Sequence, residues 1–90
     1  QYSFDRAFMG SCGIDMMDHT VTTLGVEDGL TKKAAIESSR HKYAVMEREK
    51  FYFNESYKFT QLDELDGIIT DEFPDQSVQD MLDSLGVTLY

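Results

Sequence analysis

Apolar residues in this chain gather in short unbroken runs rather than in strict alternation with polar ones. Ala7 to Met9, Tyr43 to Met46, Gly67 to Thr70 and Val87 to Leu89 are runs of this kind, and they predict parallel strands covered on both faces. A helix is predicted from about Val26 to Ser39, with an apolar stripe of Val26, Leu30 and Ala34 broken by Lys33 and Glu37. The second predicted helix has clearer punctuation. Pro74 and Asp75 open it, Ser77 and Asp80 have capping-box spacing, and Val78, Met81, Leu82 and Leu85 repeat on one helical face. Gly86 then stops it before the last strand. Strand-helix-strand, a polar excursion from Glu47 to Glu64, and strand-helix-strand again predict a three-layer α/β/α arrangement with right-handed crossovers. The excursion is long for a simple connection, and long loops often carry function.

The run Phe4 to Asp15, FDRAFMGSCGID, carries the first candidate chemistry. Ala7, Phe8 and Met9 read as a buried strand, Gly10 to Gly13 as a tight turn, and Ile14 re-anchors the chain before Asp15. In open α/β sheets, ligands bind just beyond the carboxyl ends of strands, and glycines there let backbone N–H groups approach a bound group. A plain strand and turn remains the other reading. Asp15 could accept hydrogen bonds from sugar hydroxyls or could cap its own turn. Lys50, just past the second strand, could meet a phosphate or carboxylate with its flexible ammonium, or be an ordinary solvated lysine. Asp15, Asp71 and Glu47 could all gather at one sheet edge.

Ninety residues permit one small domain, burying only roughly 60 to 65 per cent of its unfolded surface. Seventeen acidic against eight basic residues give a formal charge of -9, so these residues should not bind nucleic acid by themselves. The single Cys12 excludes an internal disulfide and suits a reducing cytoplasm. No apolar run approaches the roughly 20 residues of a membrane span, and a cytoplasmic location is expected. His19 and His41 have no Cys or His at ligand spacing, so neither a metal nor another cofactor is expected. The aromatics Phe51, Tyr52, Phe53, Tyr57 and Phe59 suit core packing, a lid or a subunit contact.

Taken in order, Asp-x-Ala-Phe-x-Gly-x-x-Gly-Ile-Asp from Asp5 to Asp15, Thr22-Thr23, an apolar strand running to Lys50-Phe51, and Ile68-Ile69-Thr70-Asp71 resemble the C-terminal sensor domain of DeoR-family bacterial transcriptional regulators. The resemblance implies a Rossmann-like fold related to ribose-5-phosphate isomerases and CoA-transferase-like proteins. It makes residues 1–90 a single-domain fragment, the C-terminal part of such a sensor. The chain starts at Gln1 and enters a strand almost at once, without the N-terminal winged helix-turn-helix that reads DNA in the family. The implied role is effector sensing in a repressor of sugar metabolism genes. A phosphorylated sugar would modulate DNA binding by the absent domain, in a homo-oligomer without enzymatic activity.

The implied pocket uses Gly10, Gly13, Asp15, Thr22, Thr23 and Lys50. Where the family commonly has Asp-Ser-Ser before Lys-Phe, this chain has Glu47-Arg48-Glu49, and where the family has Gly after it, this chain has Tyr52. Arg48 could replace the lost hydroxyls with a bidentate fork. Glu27 and Asp28, at the start of the first helix, would compete with a phosphate or simply satisfy the helix dipole. The alternatives are a sugar-phosphate isomerase-like enzyme with Asp15 as base and Lys50 stabilising the oxyanion, and a non-catalytic oligomerisation module.

Overall fold

The computed structural model describes residues 4–10 and 12–90; Ser11, in the expected turn, lies outside them. The chain order is β1 (Phe4–Met9), β2 (Gly13–Asp15), β3 (Thr20–Thr23), α1 (Val26–Glu37), β4 (Ser39–Met46), β5 (Tyr57–Gln61), β6 (Gly67–Thr70), α2 (Gln76–Ser84) and β7 (Thr88–Leu89). Short 3-10 helices at Arg48–Tyr52 and Leu62–Glu64 flank β5. The fold is α/β, with a four-stranded sheet in the order β1-β4-β6-β7 and a three-stranded sheet in the order β2-β3-β5. Every described pairing in the large sheet is parallel, and those in the small one are antiparallel.

The large sheet follows from the predicted apolar runs. Met9, Ala44, Met46 and Ile68 point inward to one core, where they meet Ile36 of α1, Val78 and Leu82 of α2, and Ile14, Val21 and Phe59 of the small sheet. Strand order advances in one direction along the sheet, so right-handed crossovers all fall on the same face. The other face is open among the described residues: Phe8 is 58% exposed, Val45 41% and Tyr90 58%. Strands expected to be covered on both faces are therefore covered on one, by a layer that mixes helices with a second sheet.

That second sheet corrects the reading of Glu47 to Glu64 as a loop. Phe51, Leu62 and Phe59 bury their side chains from this stretch, and β5 pairs with β3. Residues 20–23, TVTT, are buried throughout, as β-branched side chains suit a strand covered on both sides. The first half of β4, Ser39 to Lys42, carries little apolar signal and is strand because β1 pairs with it, Phe4 opposite Ser39 and Arg6 opposite His41.

The helices differ in how well local sequence placed them. In α2, Val78 and Leu82 are buried, with Met81 and Leu85 partly so. Gly86 adopts φ 77°, with its N–H donating to the Asp83 carbonyl and that of Val87 to Leu82. This left-handed C-terminal cap favours glycine because a Cβ would be strained there. The capping box expected of Ser77 and Asp80 does not form; Asp75 is the N-cap, and Asp80 accepts a hydrogen bond from Gln76 Nε2 at 2.9 Å. In α1 the expected stripe is the wrong one, since Val26 and Leu30 are 56% and 55% exposed. Gly29 and Ile36 face inward instead. A Cβ at Gly29 would lie 2.2 Å from Tyr57 Cδ2, so the bare glycine backbone is the seat of the Tyr57 ring.

Candidate functional site

At the carboxyl ends of β4 and β6 the chain surrounds a cavity of about 570 Å³. Cys12, Val45, Met46 and Ile69 supply its apolar lining. Glu47, Lys50, Glu55, Thr70 and Asp71 supply its polar one. Such a crevice outside parallel strand ends is where open α/β sheets take ligands. A second groove of about 340 Å³, lined by Lys33, Ile36, Lys58 and Phe59 among others, lies away from these strand ends.

Lys50 sits on the Arg48–Tyr52 3-10 turn, whose next residue, Phe51, is fully buried. The buried ring anchors the base of the lysine while its half-buried side chain reaches the cavity. There Nζ lies 3.5 Å from Glu55 Oε2 and 5.3 Å from the centre of the Phe53 ring. Glu55 is fixed in turn, its backbone N–H donating to Thr22 Oγ1 at 3.0 Å.

Gly13 makes this wall possible. The Ile14 N–H donates to the Phe53 carbonyl at 2.8 Å, and a Cβ on Gly13 would come within 2.5 Å of that same oxygen. Gly13 and Thr22 thus stand behind the cavity and hold the segment carrying Glu55. Thr23 belongs to a neighbouring group: its hydroxyl donates to Asp28 Oδ2 and accepts from Lys32 Nζ at 3.0 Å, while Lys32 also reaches Asp28 at 2.7 Å. The hydrogen bond from Lys32, and then that from Thr23, holds the Asp28 carboxyl below its ordinary value. Glu27 and Asp28 occupy the first turn of α1, and Asp28 spends its charge on these partners.

Cys12 forms part of the cavity wall and is buried. Its thiol donates to the Gly10 carbonyl at 3.3 Å. Burial pushes its pKa up to about 11, with Lys32 pulling down and Asp28 pushing up; the Thr23–Asp28–Lys32 group therefore lies within electrostatic reach of the cavity wall. Gly10 is itself exposed.

Asp15 lies apart, outside the cavity lining. Its carboxylate accepts from the Met17 and Asp18 N–H groups at 2.9 and 3.1 Å, from Asn54 Nδ2 at 3.2 Å, and meets Lys58 Nζ at 3.2 Å. The Asp18 N–H foremost, then Lys58 and the Met17 N–H, hold its carboxyl below the ordinary value despite partial desolvation. Lys58 also pairs with Asp18, and that pair, then Asp15, raises the Lys58 pKa. This is a turn cap, the other role open to Asp15 from the sequence.

Of the expected residues, then, Lys50 lines the cavity, Gly13 and Thr22 support its wall, Thr23 lies in the adjoining polar group, and Gly10 and Asp15 are not among the lining residues. Glu47 and Asp71, which the sequence could bring to one sheet edge, do meet there. Glu55 also lines the cavity and had no expected role; Asp28 and Lys32, one helical turn apart, make up the adjoining polar group with Thr23. Arg48 does not face the cavity as a fork. Its Nε donates to the Phe73 carbonyl at 3.1 Å, its Nη2 to Asp75 at 2.9 Å, and its guanidinium lies 5.6 Å from the Tyr52 ring centre. It ties the turn after β4 to the segment after β6. Among the described residues, no group of three or more His, Cys, Asp or Glu side chains is placed to hold a metal.

The chain is thus an α/β domain with a mostly parallel sheet and, at its strand ends, a mainly apolar cavity that Lys50 lines. The family description "DeoR C terminal sensor domain" matches residues 1–72, and the chain belongs to that family. The chain is 34% identical over 88 residues to the HTH-type transcriptional repressor GlcR of Bacillus subtilis (strain 168), covering 98% of this chain and 33% of that protein. It is 32% identical over 82 residues to the glycerol-3-phosphate regulon repressor of Escherichia coli (strain K12), covering 91% and 32% respectively. The Shigella flexneri repressor of the same name matches equally. The chain thus spans about a third of the length of the curated relatives it matches. No described helix is long and apolar enough to cross a membrane.

Proposed function

We propose that this chain is the effector-sensing part of a DeoR-type transcriptional repressor, and that its effector is a phosphorylated sugar or sugar-like metabolite. The observation that carries the reading is Lys50, anchored by buried Phe51 and paired with part-exposed Glu55 inside the strand-end cavity. A phosphate can take the ammonium from Glu55, because a dianion outbids a single carboxylate and the pair is solvated enough to exchange. Thr70 and the carboxylates Glu47 and Asp71 suit sugar hydroxyls, and Val45 and Ile69 suit the apolar face of a sugar ring.

In the complete cytoplasmic polypeptide, a winged helix-turn-helix outside these residues would hold DNA. The effector would act by preferring one arrangement of a homo-oligomer over another. The sensor would be a three-layer α/β/α domain of the ribose-5-phosphate isomerase and CoA-transferase-like type. A sensing rather than catalytic role is supported by these relatives, each a repressor by name, and by Asp15, whose carboxylate is occupied by four donors outside the cavity.

The test is calorimetric titration of hexose phosphates, pentose phosphates and glycerol 3-phosphate into the complete polypeptide and its Lys50→Ala variant. Binding of one of them without turnover, weakened at least about tenfold by the substitution, or ~1.4 kcal/mol, is the expected result. Turnover would favour an enzyme. Absence of binding, or binding indifferent to Lys50, would refute the assignment.

A further inference from the structure

The cavity at the strand ends carries more negative charge than a phosphate alone can tolerate. Among the described residues its lining holds the carboxylates of Glu47, Glu55 and Asp71 against the ammonium of Lys50. A phosphate ester brings close to two more negative charges at about pH 7. Once it draws Lys50 away from Glu55, which lies 3.5 Å from Nζ, every carboxylate of the lining faces an anion. Like charges in one site oppose binding unless a cation enters with the ligand. The neighbouring cations are committed elsewhere. Arg48 is turned to the Phe73 carbonyl, Asp75 and the Tyr52 ring, Lys32 is paired with Asp28, and neither lines the cavity.

Two of the carboxylates have a fixed common place. Strands β4 and β6 are parallel, with Met46 opposite Thr70, so Glu47 and Asp71 are the next residues out of neighbouring strands whose backbones run about 4.8 Å apart. Asp71 is oriented there, since its Oδ1 accepts from the Arg48 N–H at 3.0 Å and from Thr70 Oγ1 at 3.3 Å. Those bonds engage one oxygen of its carboxylate. Glu47 opens the turn that carries Lys50, its carbonyl accepting the Lys50 N–H at 2.9 Å. A single turn of chain therefore holds an anion seat, at Lys50, and half of a cation seat, at Glu47.

We propose that the effector carries a primary ammonium as well as its phosphate, as an amino sugar phosphate does, with the phosphate on Lys50 and the ammonium between Glu47 and Asp71. The inference rests on the sensor reading and narrows its ligand class. The three N–H donors of an ammonium suit a pair of carboxylates, and the charge-assisted bonds are about twice as strong as those a hydroxyl makes in the same position. A hydroxyl there leaves both carboxylates uncompensated. A divalent cation is the other means of offsetting them, but it takes about six to eight oxygens. Among the described residues no group of three His, Cys, Asp or Glu is placed to hold one.

The experiment is calorimetric titration of the complete polypeptide with matched ligands: glucose and galactose phosphates, the corresponding amino sugar phosphates, and the N-acetylated forms of those amines, each with and without magnesium ion. The amine is expected to bind about tenfold more tightly than its hydroxyl counterpart, and the acetylated form, which has lost the charge, no more tightly than the hydroxyl. In Asp71→Asn and Glu47→Gln variants the gap should close, the amine weakening while the hydroxyl sugar phosphate tightens. Asparagine keeps an acceptor oxygen for the Arg48 N–H, and Glu47 is exposed, so both substitutions spare the fold. A hydroxyl sugar phosphate bound as tightly as the amine would overturn the proposal and leave the sensor reading standing. So would a gap that survives both substitutions, because the ammonium would then sit elsewhere. Hydroxyl binding that rises to the level of the amine in magnesium would overturn it too, because a metal ion would then offset the carboxylates. No binding of any of these ligands would overturn the proposal, and titration of pentose and glycerol phosphates then decides whether the sensor reading falls with it.

Discussion

Lys50 Nζ lies 3.5 Å from Glu55 Oε2 inside the strand-end cavity, so the ammonium best placed to meet an anion already has a counter-ion. Both side chains are part-exposed, at 34% and 25%, and a pair of that kind contributes only about 0 to 1 kcal/mol. Glu55→Gln removes the competitor while Thr22 still receives the backbone N–H. On the proposed sensor reading, affinity for a phosphorylated ligand should therefore rise, by up to about fivefold. Titration calorimetry of the variant beside the unaltered protein reads the change, and weaker binding would mean that Glu55 itself contacts the ligand.

Gly29→Ala sets two effects against each other. Alanine in place of glycine within a helix gains about 1 kcal/mol, but the new Cβ would sit 2.2 and 2.4 Å from atoms of the Tyr57 ring. Overpacking of that kind costs about 1 to 3 kcal/mol, so the clash wins and the variant unfolds at lower denaturant concentration. Against a Tyr57→Ala background the ring is gone, and the same substitution should become stabilising. Chemical denaturation of the variants would detect the change of sign.

Asp15 ties acid stability to the turn between β2 and β3. Its carboxyl is held below the ordinary 3.8 by the Asp18 N–H, Lys58 and the Met17 N–H. The stability it contributes is therefore present above that value and is lost as pH falls through the lowered one. Asp15→Asn should unfold more easily than the unaltered protein at about pH 7, with the gap narrowing below about pH 4. Parallel denaturation curves across that range test it, and a constant gap would contradict the assignment.

Arg48 fastens two walls of the cavity from outside, through Phe73, Asp75 and the Tyr52 ring. Arg48→Met leaves its backbone bond to Asp71 intact but releases the guanidinium contacts. Cys12, buried in the cavity wall with a pKa near 11, should label slowly, since only about one thiol in ten thousand is ionised at pH 7. The variant should label several-fold faster without an equal loss of global stability. An unchanged rate would show that the clamp does not control opening.

Much of the fold is local in origin. Val78, Met81, Leu82 and Leu85 mark α2 by their repeat, and Gly86 ends it through a conformation that glycine adopts freely. The short apolar runs mark β1, β4, β6 and β7, although alternate residues of the runs, Phe8 and Val45 among them, lie on the face that is open among the described residues. Lys50 was open between an anion contact and an ordinary solvated lysine from the sequence, and it is the buried Phe51 beside it that holds it at the cavity.

Other features depend on partners distant in sequence. The buried side of α1 was decided by Tyr57 lying on Gly29, against the stripe of Val26 and Leu30. Strand β5 and the polar half of β4 exist because β3 and β1 offer them edges, and pairing energy of that kind leaves little trace in local hydrophobicity. Asp15 and Thr23 are ambiguous as single residues. The Met17 and Asp18 N–H groups make the first a turn cap, which Asn54 and Lys58 hold from outside the turn, and Asp28 and Lys32 draw the second into an ionic group. The sequence by itself determined the parallel strands and α2. Tertiary structure alone decided the second sheet, the face α1 buries and the role of each carboxylate, because a polar group's task is set by the donors that folding brings to it.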